Sequence, residues 1–165
     1  PPRSTLFPYT TLFRSVRWRY KKWPYYGLLI KLLLEKQPDW RICIIGSKDD
    51  VIGNLPEDER ILDLRGKLSL AQCAGIFKRS DFAVANDCGP VHIANAVGLK
   101  SITIFGPSCE FKNSYPSRSV VIHSDVKCRP CQYTSQINKC DTPECMTQIK
   151  PEMIYSQIER LVGNR

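Results

Sequence analysis

The 165-residue chain lacks any apolar run long enough to cross a membrane as a helix. Its longest, Gly27 to Leu34, is broken by Lys31, and a span needs roughly 20 residues. No repeat and no low-complexity tract appears, which excludes a solenoid or a linker. There is no charged-then-apolar-then-small segment of the secretory kind. Position 1 is not Met, and the two methionines are Met146 and Met153, so the chain reads as a fragment. No Gly-x-Gly-x-x-Gly follows a strand-like segment, which speaks against a dinucleotide dehydrogenase. Evenly spread basicity is missing as well. The net charge is +8, but the first 22 residues hold six basic side chains and no acid, which leaves +2 for the rest. A surface that tracks phosphates needs a distributed stripe of Lys and Arg, so no nucleic-acid partner is expected. The composition that remains, 42% hydrophobic and 24% charged, is that of an ordinary globular domain.

Residues Leu6 to Ser15 read LFPYTTLFRS. This corresponds throughout to the in-frame translation of a common short-read sequencing adapter, CTCTTTCCCTACACGACGCTCTTCCGATCT. The competing reading is a genuine strand, since Thr, Tyr and Phe favour strands. Residues 1–16 are therefore expected to be adapter-derived, and 17–165 to form the domain. The natural first strand is expected to have preceded Trp18, which predicts marginal stability for residues 17–165.

From Pro24 onward, helix-like and strand-like segments alternate. Pro24 suits a first helical position, and Leu28, Leu29, Leu32 and Leu33 would form the buried face of a helix ended by Pro38. Strands are expected at Arg41–Ile45, Ile61–Leu64, Phe82–Ala85, Ser101–Phe105 and Ser119–Ile122. Ser69 should cap a helix to about Lys78, with Leu70, Cys73, Ala74 and Phe77 on one face. Pro90–Val97 should be a helix closed by Gly98, and Pro151 should open a last helix to about Val162. Strands separated by helices imply an α/β fold with a Rossmann-like open parallel sheet. Ligands on that architecture sit beyond the carboxyl ends of the strands, which selects the loops at 46–50, 66–69, 86–92 and 106–108.

One segment carries most of the functional reading: FAVANDCGPVHIANAVG, Phe82 to Gly98. A strand runs into Asn86-Asp87-Cys88-Gly89, and Pro90 starts a helix. A helix N-terminus offers unpaired N–H groups and partial positive charge, and Gly89 lets a ligand approach the backbone. Together these suit a diphosphate. Asp87 is placed to accept from sugar hydroxyls, and His92 lies in the first turn. The plainer alternative makes Asp87 a helix cap and His92 a surface residue. Lys21-Lys22-Trp23-Pro24 sets a cation ahead of the first helix, which could offset diphosphate charge; a solvated pair is the alternative.

These segments, with SITIFGPS and CRPC after them, resemble glycosyltransferase family 9, the lipopolysaccharide heptosyltransferases. The resemblance runs from Trp18 to about Val162. It implies the C-terminal half of a GT-B enzyme, in which two Rossmann-like domains flank a cleft. It implies a bacterial transferase of lipopolysaccharide biosynthesis that moves a sugar, with inversion, from a nucleotide-diphosphate donor such as ADP-heptose to a lipid-linked saccharide. By the same resemblance Lys21 meets the donor phosphates, Asp87 holds the donor sugar, and Gly89, Pro90 and His92 line the diphosphate turn. Asp49, with Asp50 as a rival, stands near the nucleoside, and Cys88 with Gly106 and Ser108 of the FGP turn are implied to bind the donor as well. Cys88 replaces a usual Ser or Thr, and Asn95 a usual Ala. The acceptor site and the catalytic base are expected in an N-terminal domain outside this sequence, so no catalytic residue is assigned and the fragment alone should be inactive. No cofactor is expected for catalysis. The location implied is cytoplasmic, at the inner face of the bacterial inner membrane, with peripheral membrane contact by the intact enzyme.

Of eight cysteines, Cys43 and Cys73 lie on apolar segments and read as inert core. Cys128, Cys131, Cys140 and Cys145 form a Cys-rich loop at 128–145 whose spacing suggests a structural thiolate site, with zinc the first candidate. Disulfides, or cysteines that hold no metal, are the alternatives. The rival functions are another Rossmann-like nucleotide-binding enzyme and a zinc-dependent binding module.

Overall fold

The computed structural model describes residues 4–8 and 20–163. The expectations placed on 9–19 lie outside the described residues. Six strands form one sheet: β1 (Ser4–Pro8), β2 (Arg41–Ile45), β3 (Ile61–Asp63), β4 (Phe82–Asn86), β5 (Ser101–Phe105) and β6 (Ser119–His123). Their order is β3-β2-β1-β4-β5-β6, and every pairing is parallel. The order reverses around β1, so the switch point of the sheet lies between β1 and β4.

The intervening helices are α1 (Tyr26–Lys36), α2 (Leu70–Phe77), α3 (Gly89–Ala96), α4 (Glu110–Asn113), α5 (Glu144–Thr147) and α6 (Pro151–Gly163). Side chains alternate across a strand, and the core divides accordingly. Ile42, Ile44, Val84, Ile102 and Ile104 face α1 and α6, where they meet Leu29, Ile30, Leu33, Ile154 and Ile158. Ile45 and Ala83 face the other way, onto Cys73 and Phe77 of α2 and Ala94 of α3. All five residues of β4 and of β5 are buried, as a parallel strand covered on both faces requires.

Two phases differ from the sequence expectation. α1 begins at Tyr26, because Trp23 is buried and its indole Nε1 donates to Ile149 O at 2.8 Å, which anchors the chain before the helix starts. Its buried stripe is Tyr26, Leu29, Ile30, Leu33 and Leu34, the i, i+3, i+4, i+7, i+8 spacing, so Leu28 falls on the flank and is 42% exposed. In α2, Cys73 and Phe77 are buried but Leu70, at the first turn, is exposed. Ser69 does cap α2, and Gln72 completes a reciprocal capping box. Gly98 closes α3 at φ +90, in the region that favours glycine.

β1 pairs with β2 from Ser4↔Arg41 to Pro8↔Ile45 and with β4 at Thr5↔Phe82 and Leu6↔Ala83. Residues Leu6 to Pro8 of the adapter-like stretch therefore occupy ladder positions in the middle of the sheet. A ladder is bonded through backbone groups, so a short extended run meets that demand whatever its origin.

Asn95 joins a buried polar seam. Its Nδ2 donates to Val91 O at 2.7 Å and to Ser101 Oγ at 3.2 Å, and Ser101 and Thr103 continue the seam to Ser119. A buried amide is stable only with such partners, so Asn95 is a packing feature of α3 against β5 and β6.

Candidate functional site

The carboxyl end of β4 delivers Asp87 to the switch point. Asp87 N donates to Ile104 O at 3.1 Å, so the residue is held by the neighbouring strand before α3 begins. Its side chain is 2% exposed, a state that a carboxylate sustains only with partners. Lys21 Nζ lies 2.7 Å from Oδ2 and Asn113 Nδ2 donates to the same oxygen at 3.0 Å. His92 Nε2 stands 3.7 Å from Oδ1, beyond hydrogen-bond length. The structure thus brings together Lys21, Asp87 and His92, and adds Asn113, which the sequence did not single out. Lys21 and Asp87, read as contacts to different parts of one ligand, sit directly on each other.

Cys88 is the N-cap of α3, extended at φ −156 and ψ 170, and its thiol makes no cap hydrogen bond. No acidic residue occupies the first turn of α3, and Pro90 sits there without an N–H. A hydroxyl at position 88 would compete for the first N–H groups; a thiol competes weakly. His92 Nδ1 is buried with no partner, and the ring meets Tyr115 edge-on at 5.7 Å. Behind the site Tyr26 Oη donates to Asn86 Oδ1 at 3.1 Å. Burial, reinforced by Cys88, holds the Tyr26 phenol well above its ordinary range against the opposing Asn86 bond, so it stays a neutral donor.

The loop after β2 is different. Asp49 is exposed, whereas Asp50 is buried and accepts from Ser47 N at 2.7 Å. Arg65 donates to Asp50 O, and its guanidinium is shared with Asp63, whose carboxyl it holds below the usual range. Burial lowers the pKa of the Lys22 ammonium, and the nearby Asp50 charge opposes that. An open hollow of about 390 Å³ lies at the carboxyl ends of β2 and β3, lined by Lys48, Asp50, Asp63, Arg65 and Lys67 among others. Asp49 is not among its lining residues.

The turn after β5 is capped from above. Arg129 Nε donates to Gly106 O at 2.6 Å, Cys131 N and Gln132 N donate to Pro107 O at 3.0 Å each, and Arg129 Nη2 reaches Glu110 at 3.0 Å. The Arg129 side chain is 6% exposed. A Cβ on Gly106 would lie 2.4 Å from Met146 Sδ, so any larger residue there would have to displace the Met146 side chain under α5. Ser108 is fully buried and its Oγ has no partner. Arg129 was visible in the sequence only as the x of a CxPC; a fixed guanidinium between two cysteines and a proline was the signal for a buried cap.

None of the eight cysteines is joined in a disulfide. Cys131 packs with Tyr20, Ile137 and Cys140, and burial pushes Cys145 up to about 11, with the Cys131, Cys128 and Cys140 thiols adding to the effect. The four belong to one neighbourhood. Among the described residues, however, no group of three or more His, Cys, Asp or Glu is arranged to hold a metal ion. Cys43 and Cys73 also have thiols raised by burial, as expected of core positions.

Residues 5–141 match the pattern described as "Glycosyltransferase family 9 (heptosyltransferase)". The chain belongs to that family. Lipopolysaccharide heptosyltransferase 1 of Pseudomonas aeruginosa is 25% identical over 94% of this chain and 48% of its own length. The solved ADP-heptose lipopolysaccharide heptosyltransferase II of E. coli superposes with a TM-score of 0.73 at 19% identity, over 99% of this chain and 47% of that one. A dodecameric iron-containing heptosyltransferase solved with ADP-heptose gives the same TM-score at 16% identity, over 99% and 46%. The chain spans about half the length of these relatives. These solved structures show that the fold is shared with the GT-B glycosyltransferases of this family.

Proposed function

We propose that residues 17–165 form the donor-binding, C-terminal half of a heptosyltransferase-like glycosyltransferase. In this reading a nucleotide-diphosphate sugar such as ADP-heptose binds here. The sugar passes with inversion to a lipid-linked saccharide held by a second domain. The observation that carries it is the Asp87 cluster. A buried carboxylate, gripped by Lys21 and Asn113, stands at the switch point one residue before an N-cap that gives no side-chain bond.

Asp87 accepts from a sugar hydroxyl through Oδ1, while Lys21 and Asn113 hold Oδ2. The opening turn of α3 faces the diphosphate, and its dipole offsets the charge that grows on the leaving group. Lys21 shares its ammonium between Asp87 and that diphosphate. The nucleoside takes the hollow at β2 and β3. The base that activates the acceptor hydroxyl comes from the other domain, and no step is routed through a metal or cofactor. The intact enzyme works in the bacterial cytoplasm against the inner membrane. The adapter-like stretch contributes strand positions and no chemistry.

Calorimetric titration of the 165-residue chain with ADP, ADP-heptose and NADH tests this reading. ADP and ADP-heptose are expected to bind and NADH to leave the baseline flat. Tight NADH binding with no response to ADP would replace the reading with that of another nucleotide-binding enzyme.

A further inference from the structure

Among the described residues, four buried side-chain polar atoms have no hydrogen-bond partner: His92 Nδ1, Ser108 Oγ, and both Nε2 and Oε1 of Gln132. Such orphans are few in a native protein, and each costs free energy in the empty state. Ser108 and Gln132 belong to one bonded segment. His92 opens α3 after β4, Ser108 ends the turn after β5, and Gln132 is tied to that turn through its own N–H to Pro107 O at 3.0 Å. Gln132 is 4% exposed and Ser108 is fully buried.

Their position is fixed by the chain around them. Arg129 holds Gly106 O and Ser108 O, and Cys131 N shares Pro107 O with Gln132 N, so all three carbonyls of the turn are occupied. Thr134 N and Thr134 Oγ1 both donate to Cys131 O at 3.0 Å, which tightens the chain just beyond Gln132. The carboxamide is therefore presented on a braced segment, with its two polar atoms unspent.

The chemistry of the orphans selects a ligand class. A phosphate offers acceptors only; it would satisfy Gln132 Nε2 and leave Oε1 facing negative charge. A carboxamide and a hydroxyl each donate and accept, and the group that answers both is a polyol, whose hydroxyls do the same. We infer that Gln132, with Ser108 beside its backbone anchor, is a specificity element that reads hydroxyl groups of the transferred sugar. The inference rests on the donor-binding reading and assigns to that site a contact from the Cys-rich segment.

Gln132→Leu removes both polar atoms at nearly constant volume. In the full 165-residue chain it should leave the melting temperature unchanged or raised, because an unsatisfied buried amide is replaced by an apolar group. Affinity for ADP should stay within about twofold, while affinity for ADP-heptose should fall about tenfold, a loss typical of a site built to hydrogen-bond a hydroxyl. Ser108→Ala should shift the same ADP-heptose to ADP ratio in the same direction, and it decides the matter if the Leu variant does not fold. An unchanged ratio in the variants, or equal loss of ADP and ADP-heptose, overturns the role of Gln132 and leaves the donor reading standing. A wild-type chain that binds neither ligand removes the donor reading itself, and this inference with it.

Discussion

Asp50 and Asp87 are each 4% exposed, and each follows a strand of the same sheet at the same edge. What holds them differs. The Asp50 carboxylate accepts from Ser47 N, three residues away, which closes its own turn, and its charge also faces Lys22 and Arg65. Asp87 is held by Lys21, 66 residues away, and by Asn113, 26 residues away. A carboxylate satisfied by its own turn is part of the local fold. One that gathers side chains from distant segments holds a constellation in place, and its burial is sustained only while all of them stay. The contrast separates, at equal burial, an aspartate anchored by its own turn from one anchored by distant segments.

The largest test of that contrast is the pair Asp87→Ala and Asp50→Ala. Asp87→Ala should weaken ADP-heptose binding about 100-fold, since it removes a charge-assisted acceptor and unpairs Lys21. Asp50→Ala should instead lower the melting temperature by several degrees, while its affinity changes less than about tenfold. Equal effects of the two on binding would erase the distinction. Asn113→Ala comes next. It removes one of two donors to Asp87 Oδ2 and should cost about five- to tenfold in affinity by the same titration. The smallest effect concerns the thiols. Cys128 is exposed, whereas Cys145 is buried and raised from 9.0 to about 11. Its thiolate fraction at neutral pH is then about 100-fold below that of an unshifted thiol. Iodoacetamide followed by peptide mass mapping should label Cys128 early and Cys145 last, with Cys145 labelling rising as pH climbs toward 11.

The sheet and most helix positions were legible because each rests on local signals. Ser69 marks a cap, Gly98 a stop, and the continuous apolar runs of Phe82–Ala85 and Ser101–Phe105 mark strands covered on both sides. The phase of α1 was not legible from its leucines alone. Four leucines cannot say which side of the helix Tyr26 and Ile30 will claim, and those two set the buried stripe. The β4-to-α3 segment was legible as a ligand turn because strand, glycine, proline and helix are contiguous. Asn113 was not, since its role exists only after a four-residue helix folds back over Asp87. Gln132 was hidden behind the cysteines on either side, and its significance lies in bonds it does not make. Cysteine spacing alone suggested a metal site; the packing of Cys131 against Tyr20 and Ile137 could not be foreseen from spacing.

The place of β1 in the ladder also shapes how the molecule comes to exist. Thr5 finds one partner at Ile42 and the other at Phe82, so the innermost rung joins chain segments made far apart in time. Until β4 has been synthesised, a hydrogen-bonding edge of β1 stays unsatisfied and open to foreign strands. Such distant pairing makes assembly slow relative to a helical bundle of the same size.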